Sequence, residues 1–82
     1  MNKEQIVELI IGHTREVVPE LDDSPIQAGD RLADLGANSV DRAEIVAMTM
    51  EALSLQMSRV ELAVAGNIGE LAEVFHAKLH RA

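Results

Sequence analysis

Apolar side chains recur at intervals of three and four through four stretches of the chain, and nowhere does the strict alternation of a half-buried strand take over. Ile6, Leu9, Ile10, His13 and Val17 fall on one face of a helix predicted from Lys3 to Val18. Pro19 ends it, because proline has no N–H to donate and restricts the residue before it. Ile45, Val46, Thr49 and Leu53 give a second helix, Ser39 to Leu53, its inward face. A short third helix is predicted from Arg59 to Ala65, closed by Gly66, whose missing Cβ suits a left-handed cap. Ile68, Leu71, Ala72, Phe75 and Leu79 form the stripe of a fourth, from Ile68 to His80. Each helix opens on the same local signal, an Asn or Ser followed three residues later by an acid or amide: Asn2 with Gln5, Asn38 with Asp41, Ser58 with Glu61, Asn67 with Glu70. Such pairs form capping boxes, in which each side chain satisfies a backbone N–H near the other residue.

Residues 19–38 form the odd stretch, too long for a structureless loop inside a compact domain. Ile26, Leu32 and Leu35 punctuate it and are expected to pin it to the bundle, with one helical turn near Asp30 to Leu35. There is no repeat and no linker. The pattern therefore predicts one domain over residues 1–82, an all-α four-helix bundle with a long first loop and a short third helix.

Composition narrows the function classes. The 82 residues hold 14 acids against 7 bases, a formal charge of −7, and Phe75 is the only aromatic among Phe, Tyr and Trp. Nucleic acid is excluded as a partner, since there is neither a clustered cationic surface nor a stacking platform. With no cysteine, disulfides, thiolate metal sites and cysteine nucleophiles are excluded as well. The N-terminal segment carries Glu4 and Glu8 and no small-residue cleavage site, and no apolar run reaches membrane-spanning length. A soluble, cytoplasmic monomer is expected.

Candidate chemistry is sparse. His76 and His80 stand four apart, a metal-sharing interval, but no third ligand is evident, and histidines at a helix C-terminus complement its dipole. His13 reads as a partly buried, hydrogen-bonded histidine rather than a general base. Asp22, Asp23, Asp30 and Asp34 lack the order of a calcium loop and read as a solvated acidic face. The run Asp34-Leu35-Gly36-Ala37-Asn38-Ser39-Val40-Asp41 differs in kind. Gly36 permits a tight turn, Asn38 can cap, and Ser39 falls on the first helical turn. A phosphate attached there would meet the free N–H groups and partial positive charge of the helix N-terminus. No partner base is visible, so Ser39 is not a self-activated nucleophile, and from the residues alone the favoured reading is an ordinary helix-start serine.

At these residues the chain resembles the acyl carrier proteins over nearly its whole length. Their Asp-Ser-Leu type triplet after a Leu-Gly-Ala turn corresponds to Asn38-Ser39-Val40 after Leu35-Gly36-Ala37; Asn38 removes a negative charge but keeps a capping oxygen. The resemblance implies an acyl-carrier-like bundle that is a carrier and not an enzyme. It implies that Ser39 receives a 4′-phosphopantetheine arm from coenzyme A, installed by a phosphopantetheinyl transferase, and that the arm's thiol holds acyl groups as thioesters. Gly36 to Val46 and the following Met48-Thr49-Met50-Glu51 are further similar to the free-standing donor carriers of polyketide β-branching cassettes. These present an acetyl unit, made by decarboxylating malonyl, to a synthase similar to hydroxymethylglutaryl-CoA synthase. That implies an acyltransferase and a decarboxylating ketosynthase-like enzyme as further partners. Acceptor carriers of such pathways place a Trp six residues after the serine; here that residue is Ile45.

By the same resemblance, Val40, Asp41, Glu44, Ala47, Met48 and Glu51 line the main docking surface, with Arg59, Glu61 and Val64 as a second contact. Rim charges suit brief encounters with several enzymes, because they raise association rates more than affinity. Arg42 either repels partners built for an all-acidic helix or makes a plain surface ion pair. Met48, Met50 and Met57 belong to the core margin or re-pack against partners, with Met50 the one expected to touch them. The alternatives are a general fatty acid or polyketide carrier and, from another class, an acidic helical adapter without a prosthetic group. Residues 1–41 carry net −6 and residues 42–82 only −1, so the acidity ends almost at Ser39.

Overall fold

The computed structural model describes residues 1–80, with every side chain but that of Arg59. Four α-helices follow one another, α1 (Lys3–Val17), α2 (Ser39–Leu53), α3 (Arg59–Leu62) and α4 (Ile68–Leu79), and the described residues contain no strand. Capping boxes open α1 and α2 as the sequence predicts, with Asn2 accepting from the Gln5 N–H and Asn38 from the Asp41 N–H. The Ser58–Glu61 pair closes reciprocally too, through the Ser58 and Glu61 N–H groups. At α4 the signal is only half used. Asn67 accepts from the Glu70 N–H, but the Glu70 carboxylate turns back to the Gly66 N–H at 2.7 Å.

That bond corrects the expectation for Gly66. α3 ends at Leu62, and Gly66 is not left-handed; its N–H belongs to the entry into α4. The left-handed helix cap falls instead on Ser54, φ 54°, after α2, where the Leu55 N–H reaches back to the Met50 carbonyl at 2.9 Å. α1 ends at Val17, and Pro19–Leu21 form a single 3₁₀ turn that the periodicity did not predict.

Ile6, Ile10 and Ile11 of α1, Ile45 of α2, and Ile68, Leu71, Ala72 and Phe75 of α4 make the core. α1 packs against both α2 and α4, so its buried arc is broader than a single stripe and turned toward Ile11 and Thr14, leaving Leu9 at the margin. Two buried hydroxyls are fully used. Thr14 donates to the Ile10 carbonyl at 2.7 Å and Thr49 to the Ile45 carbonyl at 2.8 Å. Because the Thr49 proton is spent there, His13 Nδ1, 2.8 Å away, must be the donor to the Thr49 oxygen. This fixes the ring tautomer and ties α1 to α2.

The long loop is pinned as expected, with Ile26 buried and Leu32 and Leu35 packed against the core. It contains a turn closed at both ends by Asp30, whose side chain accepts the Gln27 N–H at 2.8 Å and whose N–H donates to the Gln27 carbonyl at 3.0 Å, and a helical turn at residues 31–36. Its carbonyls also serve α4: Asp30 O accepts the Ile68 N–H at 3.0 Å and Ala28 O the Gly69 N–H at 2.7 Å. Only glycine fits there comfortably, since a Cβ on Gly69 would sit 3.2 Å from the Ala28 oxygen. No helix among the described residues is long and apolar enough to cross a membrane.

Candidate functional site

The turn before α2 is built from backbone bonds that only a permissive residue can complete. The Leu35 N–H donates to the Arg31 carbonyl and the Ala37 N–H to the Leu32 carbonyl, with Gly36 at φ 96°, a conformation that L side chains rarely adopt. Ala37, only 2% exposed, plugs the turn into the core. The chain then leaves extended at Asn38 and enters α2 at Ser39, which is exposed.

The first-turn donors of α2 are unequally used. Asn38 takes the Asp41 N–H through its side chain and the Arg42 N–H through its carbonyl, while those of Ser39 and Val40 have no partner among the described residues. Asp41 is folded into the cap, its Oδ2 accepting the Asn38 N–H at 3.2 Å. Arg42, read from sequence as a repulsive cation or a plain ion pair, makes no ion pair among the described residues. Its Nη1 donates to the Ala37 carbonyl at 2.8 Å and fastens the turn to the helix. An accessible hydroxyl, two open N–H groups and a guanidinium nearby fit a phosphate ester on Ser39.

The remaining predicted residues divide into two sets. Val40, Glu44, Ala47 and Glu51 are exposed along one stripe of α2 running away from Ser39. Met50, the methionine expected to touch partners, is half-buried and packs against the core, as Met57 does, sharing the inward arc of α2 with Val46 and Leu53; Met48 is half-buried outside that cluster. On α3, Glu61 is engaged within the molecule, 3.3 Å from Lys78 Nζ of α4. Its carboxyl is held below the usual glutamate range, first by the Ser58 backbone N–H and then by Lys78. What α3 and the turn after it offer outward is apolar: Val60 of α3, not singled out by sequence, is 80% exposed, and Val64, beyond the end of α3, 74%. Their spacing of four within the helix expected over residues 59–65 was the available signal. The side chain of Arg59 lies outside the described residues. His76 and His80 stack with ring centroids 4.3 Å apart, and His80 Nε2 donates to the Met1 carbonyl at 3.3 Å.

Residues 7–75 match the family described as "Phosphopantetheine attachment site", and the chain belongs to that family of carriers, whose cofactor is covalently attached 4′-phosphopantetheine. It is 50% identical over 82 residues, 100% of both chains, to "Polyketide biosynthesis acyl-carrier-protein AcpK" of Bacillus subtilis (strain 168). Among solved structures it matches a chain of the crystal structure of the curacin biosynthetic pathway HMG synthase in complex with acetyl donor-ACP. The identity there is 56% and the TM-score 0.88, over 94% of this chain and 99% of that one. The acyl-carrier-like bundle expected from sequence is the fold found, and an adapter without a prosthetic group loses its ground.

Proposed function

We propose that Ser39 bears the 4′-phosphopantetheine arm and that the chain is a donor carrier, presenting an acetyl unit to a hydroxymethylglutaryl-CoA synthase-like enzyme during polyketide β-branching. The observation that carries the donor reading is the 56% identity, over almost the full length of both chains, to a chain from a complex of an HMG synthase with acetyl donor-ACP. The attachment reading is supported by Ser39 itself, exposed as the first residue of α2 behind the Gly36 turn. Ile45, where the acceptor pattern places a Trp, is completely buried in this chain.

The arm supplies a thiol that holds the acyl group as a thioester. The chain's residues present it. The Gly36 turn and the Asn38 cap hold the Ser39 hydroxyl outward at the rim, where a phosphopantetheinyl transferase brings magnesium and a base. The Ser39 oxygen attacks the coenzyme A pyrophosphate at the phosphorus bearing pantetheine, its proton passes to that base, and adenosine 3′,5′-bisphosphate leaves. The Val40-Glu44-Ala47-Glu51 stripe and the Val60–Val64 pair flank the arm as docking surfaces. An acyltransferase and a decarboxylating ketosynthase-like enzyme complete the partner set.

Incubation with coenzyme A, magnesium and a broad-specificity transferase is expected to add the mass of one arm to the wild type and none to Ser39→Ala. Acetyl-loaded protein should then transfer its acetyl group to the synthase faster than an unrelated carrier does. Equal rates would remove the donor assignment while leaving the carrier one intact.

A further inference from the structure

A groove of about 380 Å³ opens beside the start of α2, floored by Leu32 of the loop, Val46 of α2, Leu62 of α3 and Leu71 of α4. Two cations, Arg31 and Arg42, line it, and no carboxylate does. On a chain of charge −7 this is a local inversion. The ion pairs among the described residues are Lys3–Glu73 and Lys78–Glu61, so neither groove guanidinium has an acidic partner there. Arg42 gives one N–H to the Ala37 carbonyl and retains its other donors. Ser39, Arg42 and Val46 lie at i, i+3 and i+7 on one face of α2. The groove therefore begins a turn below the Ser39 hydroxyl, and its α2 wall, Arg42 to Val46, runs about 6 Å along the helix.

We propose that this groove binds the free carboxylate of a carboxyacyl thioester, such as malonyl, folded back along α2 from the arm; the proposal rests on Ser39 being the attachment point. The apolar floor takes the uncharged part of the arm, and the guanidinium forks of Arg31 and Arg42 take the carboxylate, a geometry that suits bidentate contact. Decarboxylation removes the group that is held. The carbon–carbon bond to the carboxylate breaks, carbon dioxide leaves, and the α-carbon accepts a proton. The acetyl thioester that remains offers the arginines no charge and leaves the groove, so occupancy reports whether the cargo has been decarboxylated. The same cations could instead grip the phosphodiester on Ser39, an anion present with every cargo, and the experiment separates the two.

Isotope-labelled protein is converted with malonyl-CoA, acetyl-CoA or coenzyme A, and intact mass verifies each load. Amide spectra should show shifts at residues 31–33, 42–46 and 62–67 at least threefold larger for the malonyl form than for the acetyl form, both relative to the free-thiol form. Arg31→Gln, on an exposed residue, and Arg42→Gln should each cut the malonyl-specific shifts by half or more. Equal groove shifts for malonyl and acetyl would overturn the proposal. So would a phosphorus resonance that moves equally in Arg31→Gln for every cargo, without loss of a malonyl-specific shift. Absence of any mass gain would overturn the Ser39 assignment and this proposal together, whereas a gain with cargo-blind spectra overturns only the proposal.

Discussion

α2 and α4 begin with the same local instruction, Asn followed three residues later by an acid, and the folded chain uses the two beginnings in opposite ways. At α4 every first-turn donor is satisfied inside the protein: Ile68 by Asp30, Gly69 by Ala28, and Glu70 and Leu71 by Asn67. At α2 the cap takes the Asp41 and Arg42 donors and leaves those of Ser39 and Val40 open at the rim. One N-terminus is a fastener that holds the long loop to the bundle. The other is a port. The difference lies in what the loop brings to each place, carbonyls to α4 and a tight glycine turn to α2, which no window of local sequence contains.

The sharpest way to break the contrast is to damage the fastener and leave the port. Gly69→Val puts a branched side chain against the Ala28 backbone and should lose about 1–3 kcal/mol in urea unfolding. The folded fraction should still accept the arm at the wild-type rate; unchanged stability would mean that the loop does not seal α4. Gly36→Ala, forced to φ 96°, should lose about 1–2 kcal/mol and also slow attachment, because the turn aims Ser39. Asn38→Ala and Asn67→Ala should each cost about 1 kcal/mol by thermal unfolding. Only the first should lower the transferase rate, and equal rates would show that the two caps are functionally alike. The smallest effect is expected at α3. The Glu61 carboxyl is lowered in the folded state by Ser58 and Lys78, so its contribution is present above the ordinary glutamate range and lost as pH falls through the lower folded value. The difference in melting temperature between wild type and Glu61→Gln should close over that range on acidification.

Local patterns made most of the bundle legible. Helix starts, the Phe75 stripe and the three loop anchors follow from spacing and side-chain chemistry that neighbours in sequence carry. What was not legible depends on contacts between distant segments. Gly66 looked like a helix end because glycines commonly are, and Glu70 recruited it instead. Met50 was the methionine expected to touch partners, and one helix cannot state where its neighbours lie; in the fold it is half-buried at the core margin. Arg42 could be named as unusual from sequence, but its bond to Ala37 needs the turn. Ser39 was legible because its neighbourhood, from Leu35 to Asp41, is contiguous and carries its own geometry.

The central claim is that the open end of α2 is where the arm attaches, and peptide mapping of the loaded protein tests it most directly. Cleavage after Arg31 and Arg42 yields residues 32–42, in which Ser39 is the only hydroxyl-bearing side chain. The arm should be found on that peptide alone; recovery of it on a peptide carrying Ser24, Ser54 or Ser58 would contradict the assignment.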